Sequence, residues 1–178
     1  MNFKGLSGEK ESRYFINIAD IGIGGFVIQN VRTSSMILGS GLTYVKAVIS
    51  GFLKYKKQSI TLKSPEYNWS GRIISLCMAN GKYFGSGMCI APDAQLTDGL
   101  IQLTIFGDVS LWDYIRNVRS IKRGEKLVHK EAAYSVVRQL SIDSNGIPCP
   151  IDMDGEFVGY TPLDAEIVSQ TVKMIVNF

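Results

Sequence analysis

The sequence predicts a mainly β protein, an antiparallel β-sandwich carrying two helices, and three observations predict it. Short apolar or alternating runs recur with Gly, Asn, Asp or Pro turns between them. Only two stretches, 42–55 and 111–121, carry apolar residues at helical spacing. Strands and helices do not alternate, so no βαβ unit and no parallel nucleotide-binding sheet is encoded.

At 178 residues the chain suits one domain with its own core. A net charge of +3 points to no strong polyanion, and no nucleic-acid partner is expected. The apolar runs are too short, and too broken by Gly, Lys and Ser, to span a bilayer. Residues 1–13 are polar and lack the apolar core of a signal peptide. Cys77, Cys89 and Cys149 are odd in number and have no C-x-x-C spacing. That fits reduced thiols in a cytosolic protein and argues against zinc. The lone His129 argues against a His-based metal cluster, and no G-x-S-x-G elbow accompanies it for a catalytic triad.

In order, residues 1–12 read as a leading or interdomain linker and 13–178 as the sandwich. Residues 13–19 read as a buried strand that enters Asp20, Ile21, Gly22, Ile23, Gly24 and Gly25. That run lacks both the Gly-Lys-Ser/Thr ending of a P-loop and the third glycine of a dinucleotide loop. A tight turn or close backbone packing reads better than a phosphate cradle. In 42–55, Leu42, Val45, Ile49, Phe52 and Leu53 form the apolar stripe of a helix docked on a sheet, or of one walling an acyl pocket. Residues 59–63 alternate as a strand, 65–70 make a hairpin loop, and 73–79 read as a strand covered on both faces. A further strand spans 100–106. Ser110 and Asp113 form a capping box for the second helix, whose buried stripe is Leu111, Ile115, Val118 and Ile121. Arg116, Arg119 and Arg123 line another stripe, either a solvated face or a contact for an anionic lipid surface or a phosphate. Gly124 stops the helix. Strands follow at 133–137, 139–143, 151–154, 163–168 and 172–176.

Two acid-bearing stretches stand out. Asn80-Gly81 is a hairpin signal, and Gly85, Gly87, Pro92 and the Asp98-Gly99 turn follow before the strand at Leu100. Asp98, in a tight turn among carbonyls, is either a plain turn residue or a seat for a hard cation such as Mg²⁺. Asp152, Met153, Asp154, Gly155 and Glu156 form the second stretch. Its acids repel unless a cation or hydrogen bonds compensate; the alternative is a solvated hairpin.

Asn17-x-Ala19 before a Gly-rich turn is the first element of a larger pattern. The second is Asn80-Gly81-x-Tyr83-x-Gly85-x-Gly87 with Ala91-Pro92-x-Ala94 and Asp98-Gly99-Leu100. Arg123-Gly124-Glu125, Asp154-Gly155-Glu156 and Thr161-Pro162-Leu163 complete it. In this order they span nearly the whole chain. The pattern resembles the C-terminal domain of the diacylglycerol kinase and sphingosine kinase-like lipid kinases, especially the bacterial soluble type. One departure is Ser86, where many members carry glycine.

The resemblance implies the C-terminal β-sandwich of the NAD kinase/diacylglycerol kinase-like fold, which supplies a lipid pocket and part of a metal site. It also implies ATP and Mg²⁺, a diacylglycerol-like lipid substrate, and a partner N-terminal nucleotide-binding domain with a Gly-Gly-Asp-Gly loop. That loop does not occur in this sequence, so the chain is expected to be the second domain alone and inactive by itself. By the same resemblance, Asp98 with the carbonyls of Gln95 and Leu100 holds Mg²⁺. Glu156 is the base or a metal or water ligand, and Asp154 belongs to the same catalytic cluster. Transient contact with a membrane surface from the cytoplasm, and a homodimer, are compatible with it. The rivals are a non-catalytic lipid- or partner-binding β-sandwich and a fragment of an NAD-kinase-like enzyme.

Overall fold

The structure, a computed structural model, describes residues 1–32, 40–85 and 87–168, with the backbone alone for 31–32 and 40–45. The chain begins with β1 (Asn2–Gly5), β2 (Lys10–Ser12) and β3 (Ile18–Gly22), followed by α1 (Ile23–Arg32) and α2 (Ser40–Lys54). Next come β4 (Gln58–Lys63), β5 (Trp69–Ile73), β6 (Ser75–Ala79), β7 (Tyr83–Phe84), β8 (Met88–Cys89) and β9 (Ile101–Phe106). After α3 (Leu111–Lys122) the described chain ends with β10 (Ala132–Val137), β11 (Gln139–Ser144), β12 (Pro150–Met153) and β13 (Glu156–Glu166).

One antiparallel sheet runs β10-β9-β6-β3-β12-β13-β11-β4-β5, with β1 and β2 added beside β13. Strand β13 divides it into two leaves. Its first half pairs with β12, Ile151 opposite Gly159, and its second half with β11, Ile142 opposite Leu163. The change of partner falls at Thr161–Pro162, where proline has no N–H to give to a ladder. This is the antiparallel β-sandwich that the sequence predicts.

Period-two alternation sends one face of each strand between the leaves. Ala19 and Ile21 of β3, Leu76 and Met78 of β6, and Ile151 and Met153 of β12 meet Ile60, Leu62 and Ile142 there. Each buried Leu or Ile contributes about 1.5–3 kcal/mol, so this interior carries most of the stability. The opposite face of β3, β6 and β9 turns Ile18, Cys77, Ala79 and Phe106 outward, where α3 adds Ile121.

The sequence reading needs several corrections. Residues 1–12 are no linker: β1 pairs with β13, and Phe3 is buried in the core. The first internal strand starts at Ile18 rather than at 13, and β13 starts at Glu156 rather than at 163. The Asn80-Gly81 hairpin is displaced, because the paired strands are β7 and β8 around Gly85 and Gly87. A third helix, α1, occupies the stretch read only as a glycine-rich turn. Ile49, Leu53 and Ile115, expected in buried stripes, are exposed. The side chains of Leu42 and Val45, residue Ser86 and the strand expected at 172–176 lie outside what is described.

The ends of α3 match their signals. Asp113 N–H donates to Ser110 Oγ (3.2 Å) and Ser110 N–H to Asp113 Oδ2 (3.0 Å), closing the capping box. At the other end Glu125 N–H donates to Ser120 O and Gly124 N–H to Ile121 O, both at 3.0 Å. Gly124 has φ 82°, so the helix closes in a Schellman motif.

Candidate functional site

Helix α1 packs on β12 and β3, α2 on α1, and α3 beside β8, and together they leave a space beneath them. A cavity of about 420 Å³ remains, walled by Ile23 and Val27 of α1, Val48 and Phe52 of α2, and Tyr114 and Ile121 of α3. Its floor includes Ile74 and Phe106, and its polar end Asn17, Asp20, Ser75, Asp152 and Asp154. The volume is in the range of small-molecule sites, and the walls are overwhelmingly apolar. Of the two readings of α2, the pocket wall is therefore realised by Val48 and Phe52.

Alternation along the strands determines which acids reach this end. Ala19 and Ile21 point into the core, so Asp20 points out; Ile151 and Met153 point in, so Asp152 points out. The two acids are cross-strand partners, and Asp20 also lies opposite Cys77 of β6. Asp20 is 1% exposed, and its Oδ1 accepts from the hydroxyl of Ser75 and from Cys77 Sγ (3.2 Å). Its Oδ2 accepts the Gly24 N–H (2.8 Å) at the start of α1, where the helix dipole favours a negative charge. Burial pushes the Asp20 carboxyl up to about 7; the Ser75 bond opposes this and the Asp152 charge adds to it. Burial likewise raises Asp152 to about 6, against the bond that its Oδ1 accepts from Gly155 N–H (2.9 Å).

The glycine-rich stretch is the seat of this arrangement. Gly22 turns the chain with φ 112°. A Cβ on Gly24 would lie 2.0 Å from Asp20 Oδ2, and one on Gly25 would lie 2.6 Å from the main chain of Pro150. Close packing is thus the realised reading. The sequence reading did not single out Asp20 and Ser75 for this site. The signal available was strand alternation, which was obscured because the strand was read as ending at residue 19, before Asp20, whereas β3 runs Ile18–Gly22.

Asp154 sits at the left-handed φ of 51°. Its carboxylate accepts from the main-chain N–H groups of Ile16 (2.7 Å), Asn17 (3.0 Å) and Ile18 (2.9 Å). Those bonds fasten the β12–β13 turn to the entry of β3. Glu156, one residue past Gly155, is exposed, with its carboxylate 3.9 Å from the Arg13 guanidinium. It does not line the cavity, whereas Asp154 and Gly155 do.

Asn17 and Asn80 interlock the two ends of the motif. Asn80 Nδ2 donates to Ile16 O (2.8 Å), Asn17 Nδ2 donates to Tyr83 O (2.9 Å), and Asn17 O accepts the Asn80 N–H (2.8 Å). Gly81 is required where Asn17 Oδ1 would lie 2.2 Å from a Cβ. Further along, Asp98 Oδ1 accepts the Leu100 N–H (2.9 Å), and Asp98 N–H reaches Gln95 O at 3.4 Å. Gln95, Asp98 and Leu100 therefore share one turn, separate from the acids at the cavity's polar end. A carboxylate and main-chain carbonyls make an all-oxygen donor set, which suits Mg²⁺. Among the described residues no group of three or more His, Cys, Asp or Glu forms a metal cluster. A cation here would thus rest on Asp98, carbonyls and water.

Cys77, Cys89 and Cys149 are buried free thiols. Burial pushes the Cys149 thiol up to about 11, away from nucleophilic use at neutral pH. Among the described residues no helix is long and apolar enough to cross a membrane.

Residues 17–176 match the family described as the YegS C-terminal NAD kinase beta sandwich-like domain. A Yersinia pestis (strain Pestoides F) protein named "Probable lipid kinase YegS-like" is 29% identical over 164 residues, covering 90% of this chain and 52% of its own. A Serratia proteamaculans (strain 568) protein of the same name is 33% identical over 103 residues, covering 56% of this chain and 33% of its own. The solved structure of a "putative diacylglycerol kinase" from Bacillus anthracis str. Sterne superposes with a TM-score of 0.60 at 15% identity, covering 94% of this chain and 52% of that one. That likeness is one of fold. The chain spans about half the length, or less, of the curated relatives it matches.

Proposed function

Since the chain belongs to the family of YegS C-terminal NAD kinase beta sandwich-like domains, we propose that it is the lipid-binding, cleft-completing part of an ATP- and Mg²⁺-dependent lipid kinase. The whole enzyme transfers the γ-phosphoryl group of ATP to a hydroxyl of a diacylglycerol-like lipid, and its nucleotide site lies on a partner N-terminal domain. One observation carries this reading: an apolar cavity of about 420 Å³ whose polar end gathers the carboxylates of Asp20, Asp152 and Asp154 with Asn17 and Ser75. Acyl chains gain by leaving water for such walls. Phosphoryl transfer then needs chiefly positioning and charge neutralisation at the polar end.

The acids divide these tasks. Asp154 has its oxygens committed to three main-chain N–H groups, which suits a fixed charge that positions rather than one that exchanges a proton. Of the two acids of the Asp-Gly-Glu turn, Glu156 is the exposed one, only loosely paired with Arg13, and takes the proton from the lipid hydroxyl in this reading. Asp98, with the carbonyls of Gln95 and Leu100, would hold Mg²⁺, which supplies fixed positive charge at the cleft.

The test is phosphorylation of diacylglycerol in mixed micelles with labelled ATP and Mg²⁺. This chain is compared with the same chain joined to its N-terminal nucleotide domain. Turnover by the joined protein, its loss in Glu156→Gln and a weakened Mg²⁺ dependence in Asp98→Asn are expected. Full turnover in Glu156→Gln would remove that residue from catalysis. No turnover with any lipid tried would favour a purely lipid-binding sandwich.

A further inference from the structure

Most polar groups at the polar end of the cavity are already paired. Asp20 accepts from the Ser75 hydroxyl, Cys77 Sγ and the Gly24 N–H. The Asp154 carboxylate is taken up by the main-chain N–H groups of Ile16, Asn17 and Ile18. Asp152 differs. Its Oδ1 accepts the Gly155 N–H at 2.9 Å, but its Oδ2 accepts no hydrogen bond among the described residues. The residue is only 7% exposed and lines the cavity. A carboxylate oxygen buried this deeply calls for a donor, and here the donor must come from whatever fills the cavity.

Charge and size narrow what that is. Among the described residues no Lys, Arg or His lines the cavity. A headgroup arriving at its polar end meets three carboxylates and no cation, so a phosphate or carboxylate there is repelled and a hydroxyl is accepted. A methylene takes up roughly the share of one liquid water, about 30 Å³, so about 420 Å³ holds about fourteen methylenes. That is one acyl chain. A glycerol esterified once keeps two hydroxyls: one to donate to Asp152 Oδ2, the other to face the Asp154–Gly155 turn, which also lines the cavity and leads to Glu156. A diacylglycerol has a single hydroxyl and cannot do both.

We infer that the cavity seats a single-chain lipid with a hydroxyl-bearing, non-anionic head, and that Asp152 selects this head by accepting one of its hydroxyls. Only the step from bound lipid to substrate rests on the lipid-kinase reading.

The experiment is displacement of a fluorescent monoacylglycerol from the full chain by monomyristoylglycerol, dimyristoylglycerol and myristic acid. It is run at about pH 8, above the values of about 7 and about 6 to which burial raises Asp20 and Asp152. Monomyristoylglycerol displaces the probe, dimyristoylglycerol does so no better, and myristic acid is about a hundredfold weaker, as facing like charges require. In Asp152→Asn the amide oxygen keeps the Gly155 bond and an N–H donor replaces Oδ2. Myristic acid then gains about tenfold or more. Failure of the probe to bind, myristic acid competing as well as monomyristoylglycerol, tighter binding of dimyristoylglycerol, or an unchanged ranking in a folded Asp152→Asn would overturn the inference. The wild-type comparisons decide it even if that variant does not fold. A chain that fails here yet phosphorylates diacylglycerol when joined to its nucleotide domain refutes this inference alone. One that passes here without turnover refutes the kinase reading alone.

Discussion

Asp20 and Asp152 face each other across the β3–β12 ladder, buried to 1% and 7% exposure at the polar end of the cavity. Like-charged carboxylates in such a place resist joint ionisation. Burial raises Asp20 to about 7 and Asp152 to about 6, well above the 3.8 of a solvated Asp. Between those limits the folded state holds more protons than the unfolded one, so stability falls as pH rises. The contribution is complete below about pH 4 and is lost as pH climbs through about 6 to 7.

The melting temperature should accordingly drop between pH 5 and pH 8 by several degrees, each kcal/mol being worth about 2–4 °C at this size. Asp20→Asn keeps an oxygen for Ser75 and cannot ionise, so its profile over the same range should be flatter. A variant slope as steep as the wild type's would place the titration elsewhere.

Asp154 and Glu156 are two residues apart and should respond oppositely. Asp154→Ala leaves the N–H groups of Ile16, Asn17 and Ile18 without their acceptor. It should cost about 1–3 kcal/mol, as the loss of a well-made cap does. Glu156→Gln loses only a loose, exposed ion pair with Arg13 at 3.9 Å and should leave stability unchanged. Urea denaturation of both variants checks this. A destabilised Glu156→Gln would show a structural role that the geometry does not contain.

These acids also show what the sequence could and could not reveal. The Asp-Gly-Glu turn, the Asn-Gly bend and the Ser110 cap are local signals, because turn and cap chemistry is set by neighbours in the chain. Each falls at or beside the place it marks. Asp20 was harder to read because its role depends on alternation in β3 and on strands β6 and β12, distant in sequence. Helix α1 was hidden because glycine has poor helix propensity; Gly24 and Gly25 are kept for close contacts with Asp20 and Pro150. The stripes of α2 and α3 pointed the wrong way at Ile49, Leu53 and Ile115, because periodicity marks an apolar face but does not tell whether that face is buried.

The cavity itself admits a direct test. Ile90 is buried and lines it. Ile90→Phe adds volume where space already exists, so the usual overpacking cost of about 1–3 kcal/mol should be largely avoided. The variant should keep its melting temperature and lose displacement of a fluorescent fatty-acyl probe. Probe binding unchanged from wild type would mean that acyl chains bind elsewhere.

Gly25 tests the packing that positions α1. In an exposed helix Gly→Ala stabilises by about 1 kcal/mol. Here the added methyl would sit 2.6 Å from the Pro150 carbonyl carbon and oxygen and 2.8 Å from the Ile151 nitrogen. These are main-chain atoms of β12 and cannot rotate aside, so α1 must lift from the sheet. Gly25→Ala should therefore lose about 2–4 kcal/mol despite its better helix propensity. It should also widen the cavity end where Asp20 receives the Gly24 N–H. Denaturant midpoints decide the point. A neutral or stabilising outcome would show that α1 approaches β12 less closely than the contacts at Pro150 require.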